Sequence, residues 1–450
     1  MSTKKTRFHI ETFGCQMNVN DSEKVAGLLL ADGHQRAHSA ADADFVFINT
    51  CAVREKAAEK LYHAVGRLRR RKRDDPDLRL GVGGCVAQLE GREVLARAPA
   101  VDLLVGTHNV ANVPALLEQS FRQHTPVVDL DRHADAFAVP DEAVAHSSRV
   151  RAFVSVMEGC NHVCSFCVVP RTRGTEVCRP AAAVVAEVRS LVERGYAEVM
   201  LLGQTVNAYQ HDGVDFAGLL EAVHEVAGLR RLRFTTSHPG HIGERLARTL
   251  GRLPKLCPYL HLPFQSGSDR ILADMRRGYT AAEYIATAAL LREHVPGLAL
   301  TSDIIVGYPG ETEQDFEATV QLVDAVGFEG LFVFLYSPRP GTTALRLGDP
   351  VPEAEKKRRF QVLNATQQRR QAQRNAARVG TREEVLVDSV DDEGGLVGRT
   401  RDFRLVHLDG SPEWLGRVLD VAIVGSGPNA LRGRVPANDS LTLPPVVPIF

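Results

Sequence analysis

The chain has 450 residues, 44% of them apolar and 24% charged, with a formal net charge of −1. That balance excludes a fibrous or low-complexity chain and gives length for two or three packed domains. Near-neutrality argues against a globally basic nucleic-acid binder and leaves phosphate contacts to local patches. The Met1–Ile10 segment has no apolar signal region, and no later run is apolar enough for long enough to cross a bilayer. No membrane partner is therefore expected, and the cytoplasm is the expected location. Eight cysteines are too few for a disulfide scaffold of this size, and in a reducing compartment they point to metal binding or thiol chemistry.

Residues 5–123 alternate short β-branched runs with helical patterns, the signature of an α/β domain with a parallel sheet. Its predicted strands Arg7–Thr12, Phe45–Thr50 and Leu78–Gly83 are each followed within a few residues by a cysteine: Cys15, Cys51 and Cys85. Ligands of open parallel sheets bind outside the strand carboxyl ends, so these three cysteines are expected to converge on one crevice. Burial of each as a small apolar side chain is the competing reading. A helix in this domain ends in Arg67, Arg69, Arg70, Arg71, Lys72 and Arg73.

Residues 124–145 lose periodicity and read as a linker. A second domain is expected over 146–378, with strands Ala152–Met157, Glu198–Leu202, Leu232–Thr236, Tyr259–Pro263, Leu300–Val306 and Leu331–Tyr336. Six strand–helix units are fewer than the eight of a closed TIM barrel, so an open (βα)6 barrel working at its strand C-termini is predicted. A helix from about Glu353 to Arg378 carries Lys356, Lys357, Arg358, Arg359, Arg369, Arg370, Arg374 and Arg378. For both basic patches, a solvated face and a phosphate-contacting face remain alternatives. Residues 379–446 are Gly-punctuated and β-branched, which predicts a small all-β barrel.

Cys160, Cys164 and Cys167 follow the first strand of the second domain with C-x3-C-x2-C spacing. Three thiolates can hold a four-iron cluster and leave one iron without a protein ligand, open to a substrate or cofactor. Two alternatives fit the spacing: a buried helical stripe, and a zinc site completed by His162. Cys178 and Cys257 have no partner set and are read as packed or exposed thiols.

These cysteines and the ordered segments Arg173-Gly-Thr-Glu176, Leu201-Leu-Gly-Gln204, His261-Leu-Pro-Phe-Gln-Ser-Gly-Ser268, Asp303-Ile-Ile-Val-Gly-Tyr-Pro-Gly-Glu311 and Tyr336-Ser-Pro-Arg-Pro-Gly-Thr342 together resemble the methylthiotransferase family of radical S-adenosylmethionine enzymes. The resemblance spans nearly the whole chain. It implies a flavodoxin-like N-terminal α/β domain, a partial TIM-type radical barrel and a C-terminal TRAM β-barrel. It implies two [4Fe-4S] clusters, one on Cys15, Cys51 and Cys85 and one on Cys160, Cys164 and Cys167, with S-adenosylmethionine as cofactor. Gly203, Gln204, Gln265, Asp303 and Gly307, at or beyond barrel strand ends, are candidates for holding that cofactor, with turn geometry as the competing account. Phe166 has the same two readings, packing on the adenine or closing the cluster loop.

Gly14-Cys-Gln-Met-Asn18, Thr50-Cys-Ala-Val-Arg-Glu-Lys56, Phe234-Thr-Thr-Ser-His-Pro239 and Met275-Arg-Arg-Gly-Tyr279 are similar to the branch that adds a methylthio group to C2 of N6-dimethylallyladenosine at position 37 of tRNA. Branches acting on threonylcarbamoyladenosine or on a ribosomal protein aspartate are the alternatives, and a purely electron-transferring iron–sulfur protein is a third reading. An aryl C–H bond offers no acidic proton, so no side-chain acid or base is nominated. The partners implied are the tRNA anticodon stem-loop, an electron donor such as flavodoxin and a sulfur or cluster donor, with the chain acting as a monomer. Gly398-Arg-Thr-Arg-Asp-Phe403 departs from the family in lacking the asparagine usual after Gly-Arg-Thr, and Cys178 replaces a residue that is usually not cysteine.

Overall fold

The computed structural model describes residues 5–53, 55–123, 125–132 and 137–436. The chain forms two compact units, one of Met1–Ser147, Met157–Val177 and Arg339–Leu345, the other of Ser148–Val156, Cys178–Pro338 and Arg346–Phe450. The C-x3-C-x2-C loop therefore groups with the N-terminal α/β fold, although it follows the first barrel strand in sequence.

In the first unit a six-stranded parallel sheet runs in the order Gln35–Arg36, Arg7–Phe13, Phe45–Thr50, Arg79–Gly83, Leu103–Val105, Val127–Asp129. The first five strands follow the flavodoxin order 2-1-3-4-5, whose switch point lies between the Arg7–Phe13 and Phe45–Thr50 strands. Every residue of Phe45–Thr50 is buried, as a central strand covered on both faces requires. Two apolar clusters flank the sheet: Val46, Ile48, Leu61, Leu68 and Val82 on one side, and Phe8, Val25, Leu29, Phe45 and Phe47 on the other.

The stretch expected to be a linker contributes the edge strand Val127–Asp129. Three residues give too short a pattern to show periodicity, but Val127 is buried against the sheet. The segment is also pinned further on, where Glu23 accepts the Ser147 amide at 2.8 Å and its hydroxyl at 2.6 Å.

In the second unit two three-stranded parallel sheets form the open barrel, ordered Arg231–Phe234, Glu198–Leu202, Arg151–Ser155 and Tyr259–His261, Ala299–Val306, Gly330–Leu335. Lys255–Cys257 bridges them through hydrogen bonds to Leu232 at 2.8 and 3.0 Å. A closed five-stranded barrel built from Arg382–Val390, Leu396–Thr400, Leu405–Leu408, Val418–Ser426 and Ala430–Arg434 follows. Residues 437–446 of the expected C-terminal domain lie outside the described residues.

This barrel is docked on the strand layer by two arginines from the Arg231–Phe234 strand. Buried Arg233 pairs with Glu198 at 2.8 Å and donates to the carbonyls of Arg401 and Thr400 at 2.8 and 3.0 Å. Arg231 reaches Glu384 at 2.8 Å and the Arg399 carbonyl at 2.7 Å. The Phe403 ring lies under the guanidinium groups of both Arg233 and Arg399. The loop that departs from the family pattern thus carries the docking contacts between the small barrel and the strand layer.

Candidate cluster-binding site

Cys15 caps the helix Gln16–Ala31, Cys51 follows the Phe45–Thr50 strand and Cys85 opens the helix Cys85–Glu90. The fold brings the three near one another at the switch point, close enough that the Cys51 thiol perturbs the titration of both others. A net of amides fixes the loops. Asn18 Oδ1 accepts the Cys15 amide at 3.3 Å, Asn18 Nδ2 donates to Asn49 Oδ1 at 3.2 Å, and Asn49 Nδ2 donates back to the Asn18 carbonyl at 2.9 Å. Gly84, at φ +87°, completes the net, since a Cβ there would lie 2.2 Å from Asn49 Oδ1 and 2.7 Å from the Thr50 carbonyl.

The electrostatics favour thiolate. Hydrogen bonding from Cys51 lowers the thiol pKa of Cys15 to about 6 and that of Cys85 to about 6, with the Arg173 charge adding to both. Cys51, as the donor to both, is pushed upward. Three neighbouring cysteines at one crevice, two with depressed pKa values and under the influence of the Arg173 charge, fit the ligand set of a three-thiolate metal cluster.

Cys160, Cys164 and Cys167 lie on a loop closed by hydrogen bonds from the Cys160 amide to the Gly174 carbonyl and from the Cys167 amide to the Cys164 carbonyl, both 3.1 Å. The Val169 amide points at Cys167 Sγ, 3.4 Å away, as the Val53 amide points at Cys51 Sγ at 3.3 Å. Gly159, at φ +82°, lets the loop approach Thr175, whose carbonyl would lie 2.0 Å from a Cβ. A backbone amide aimed at Cys167 Sγ, on a loop with one buried and two half-buried cysteines, suits a partly exposed cluster site. Phe166 is half-buried on this loop. Among the described residues no cysteine is in a disulfide.

Three groups in this unit escaped assignment by sequence. Arg173 is fully buried, paired in bidentate fashion with Asp21 and lying 3.6 Å from Glu158. His108 packs against Gly174 with its pKa lowered by burial and then by the Arg173 and Arg132 charges. The segment Arg339–Leu345 straps both cysteine loops. Arg339 donates to the Val53 carbonyl at 3.2 Å, and the Ala344 amide and Thr343 hydroxyl donate to the Ser165 carbonyl at 2.8 and 3.3 Å. The motif Tyr336–Thr342 flagged this strap without indicating its role.

In the second unit Gly203 and half-buried Gln204 follow the Glu198–Leu202 strand. Gln265 takes φ +70° and exchanges backbone hydrogen bonds with Asp303 and Ile305 at 3.0 Å each. Asp303 Oδ2 lies 3.4 Å from His261 Nε2. Gly307 donates its amide to Glu311 and lies against the Lys356 stem. Cys257 is buried, which raises its pKa, and Cys178 is half-buried.

The two basic patches separate. On the long helix Glu353–Ala376, Lys356 and Arg359 are buried and bound to Asp349 at 2.6 Å and Glu311 at 2.6 Å, while Arg358, Arg370 and Arg374 pair with Glu313, Asp324 and Glu329. Those pairs hold the helix to its neighbours and leave its charges less available to phosphates. On the helix Glu55–Asp74, Arg71 and Lys72 are likewise engaged and Arg67 pairs with Glu11 at 3.3 Å; Arg67 and Arg70 line an open groove of ≈ 760 Å³ with Tyr62, His63 and Arg97, the last paired with Glu90 at 3.1 Å.

Three family profiles match the chain: the uncharacterized protein family UPF0004 over residues 7–106, the radical SAM superfamily over 154–323 and the TRAM domain over 376–435. The chain is 46% identical to the tRNA-2-methylthio-N(6)-dimethylallyladenosine synthase of Bordetella bronchiseptica over 95% of its own length and 92% of that protein. The enzyme of the same name from Chromobacterium violaceum is also 46% identical, over 96% and 99%. The chain belongs to the tRNA-2-methylthio-N6-dimethylallyladenosine synthase family. Among solved structures, the radical S-adenosylmethionine methyltransferase TsrM from Kitasatospora setae, with tryptophan and a SAM analogue bound, aligns with a TM-score of 0.54 at 14% identity, covering 86% of this chain and 79% of that one. That likeness supports the fold alone. Within the family frame the two cysteine sets lie in different profiles, Cys15, Cys51 and Cys85 in UPF0004 and Cys160, Cys164 and Cys167 in radical SAM.

Proposed function

We propose that this chain methylthiolates C2 of N6-dimethylallyladenosine at position 37 of tRNA, yielding the 2-methylthio derivative. Two three-cysteine sets in one compact unit carry the reading, because three protein thiolates would leave one iron of each bound cluster open and the reaction needs both a radical and a sulfur. When bound, two [4Fe-4S] clusters and S-adenosylmethionine supply one-electron cleavage to a 5′-deoxyadenosyl radical, a transferable methyl group and sulfur.

The chain's own residues supply position and charge. Cys160, Cys164 and Cys167 would hold the radical-generating cluster, leaving one iron for S-adenosylmethionine, and Gly203, Gln204, Gln265, Asp303 and Gly307 are our candidates for cofactor contacts in the second unit. Cys15, Cys51 and Cys85 hold the sulfur-side cluster, whose thiolates the Asn18–Asn49 net keeps in register. Arg67, Arg70 and Arg97 line a groove suited to phosphates of the anticodon stem-loop, and the Arg97 guanidinium stacks on Tyr62. We assign the electron supply to a flavodoxin-type donor, cluster renewal to a sulfur or cluster donor, the location to the cytoplasm and the working state to a monomer. The domain division 5–123, 146–378 and 379–446, joined by 124–145, remains our functional partition.

Nucleoside mass spectrometry of tRNA from a strain lacking the gene tests the substrate. Loss of the methylthio nucleoside with accumulation of dimethylallyladenosine is expected. An unchanged nucleoside profile, with loss of a ribosomal protein modification, would move the reading to the protein-modifying branch.

A further inference from the structure

Arg173 follows the radical-cluster cysteines in sequence, yet its guanidinium points the other way. It is fully buried and forms a bidentate pair with Asp21, which lies on the helix that Cys15 caps. Glu158, also buried, lies 3.6 Å from the same guanidinium. The short helix opened by Cys85 packs on Val169–Thr172, immediately before Arg173, and Val168 shares an apolar cluster with Cys85. At its other flank the Gly174 carbonyl holds the Cys160 amide at 3.1 Å, and the Thr107 hydroxyl holds the Thr172 carbonyl.

One residue thus stands on the loop that clasps Cys160 while its charge pairs with the helix that Cys15 caps and acts on the Cys15 and Cys85 thiols. Burying an ion pair such as Arg173–Asp21, with Glu158 beside it, carries a desolvation cost, and an apolar replacement of such a group is often neutral or stabilising. Stability alone therefore gives no reason for the triad. Its field does, because a fixed cation beside a cluster stabilises the more reduced, more negatively charged state, while the carboxylates set its orientation and moderate it.

We infer that Arg173 is a positioning residue of the cluster held by Cys15, Cys51 and Cys85, oriented by Asp21 and Glu158, and that it raises that cluster's reduction potential while tying its loop to the radical-cluster loop. This inference rests on the two-cluster reading above. The test uses the full-length chain carrying Cys160→Ala, Cys164→Ala and Cys167→Ala, reconstituted with iron and sulfide, so that only the sulfur-side cluster reports. If this background with Arg173 intact takes up no cluster, the two-cluster reading fails. If it does, redox titration followed by electron paramagnetic resonance decides the inference.

Arg173→Met is expected to shift the midpoint potential negative, Asp21→Asn to shift it positive and Arg173→Lys to lie close to the parent. Opposite signs for the two charge removals separate a field from a packing defect, which would move both alike. Shifts of the same sign, or no shift in either, overturn the inference. If Arg173→Met fails to load iron, the sign of the Asp21→Asn shift decides alone, and a zero or negative shift overturns it. In the enzyme with all cysteines intact, Arg173→Met is further expected to lower methylthio product formed per 5′-deoxyadenosine released.

Discussion

Gly84 shows how much rests on single atoms at the cysteine crevice. Its positive φ and the 2.2 Å approach of Asn49 Oδ1 leave no room for a side chain, so Gly84→Ala must displace either Asn49 or the turn into Cys85. Because Asn49 also holds Asn18, and Asn18 holds the Cys15 amide, the disturbance spreads to two of three ligands. The variant is expected to lose about half the iron, on the premise of two equal three-cysteine clusters, while still forming 5′-deoxyadenosine. Colorimetric iron and chromatographic 5′-deoxyadenosine assays read both. Full iron loading would show that the crevice tolerates the added methyl group.

At the scale of elements, the strand-end rule made Cys15, Cys51 and Cys85 legible, since each follows a short β-branched run and parallel strands gather their carboxyl ends. The open barrel was legible for the same reason, through six strand runs at regular intervals. The Val127–Asp129 strand was not, because three residues carry no pattern and its edge position is set by tertiary pairing. Nor was the fate of the long basic helix. Periodicity counts its charges but cannot see Glu311, Glu313, Asp324 and Glu329, which come from other segments to neutralise them.

The helix Glu55–Asp74 keeps Arg67 and Arg70 on an open groove, Arg67 in an exposed pair with Glu11. Replacing Arg67 and Arg70 by Ala should weaken tRNA binding and flatten the dependence of log affinity on log salt by about 0.9 for each phosphate no longer neutralised. Filter binding across a salt series measures this. An unchanged slope would return the groove to the status of a solvated face.

For the molecule as a whole, the small C-terminal barrel is held to the strand layer by hydrogen bonds from two buried arginines to its carbonyls and by the Arg231–Glu384 ion pair rather than by a broad apolar seam. Val150, Ala197 and Leu386 form only a small apolar cluster there, with Leu415 and Val418 against it. Arg233→Met would leave Glu198 short of its 2.8 Å partner and the Thr400 and Arg401 carbonyls without that donor. A destabilisation of roughly 3–5 kcal/mol is expected from breaking such a pair. Denaturant unfolding and limited proteolysis between the second unit's strand layer and its C-terminal barrel should both report it, and an unaltered midpoint would mean that the docking is carried elsewhere.

The central claim is that two cluster sites in this chain cooperate to methylthiolate dimethylallyladenosine in tRNA. Its most direct test is anaerobic reconstitution with iron and sulfide, followed by incubation with S-adenosylmethionine, a reductant and tRNA carrying dimethylallyladenosine at position 37. The expected products are 5′-deoxyadenosine together with 2-methylthio-N6-dimethylallyladenosine in the digested tRNA, the latter lost on replacing Cys15, Cys51 and Cys85 by Ala while the former persists. A methylthio product formed without those three cysteines, or none formed by the fully loaded enzyme, would contradict it.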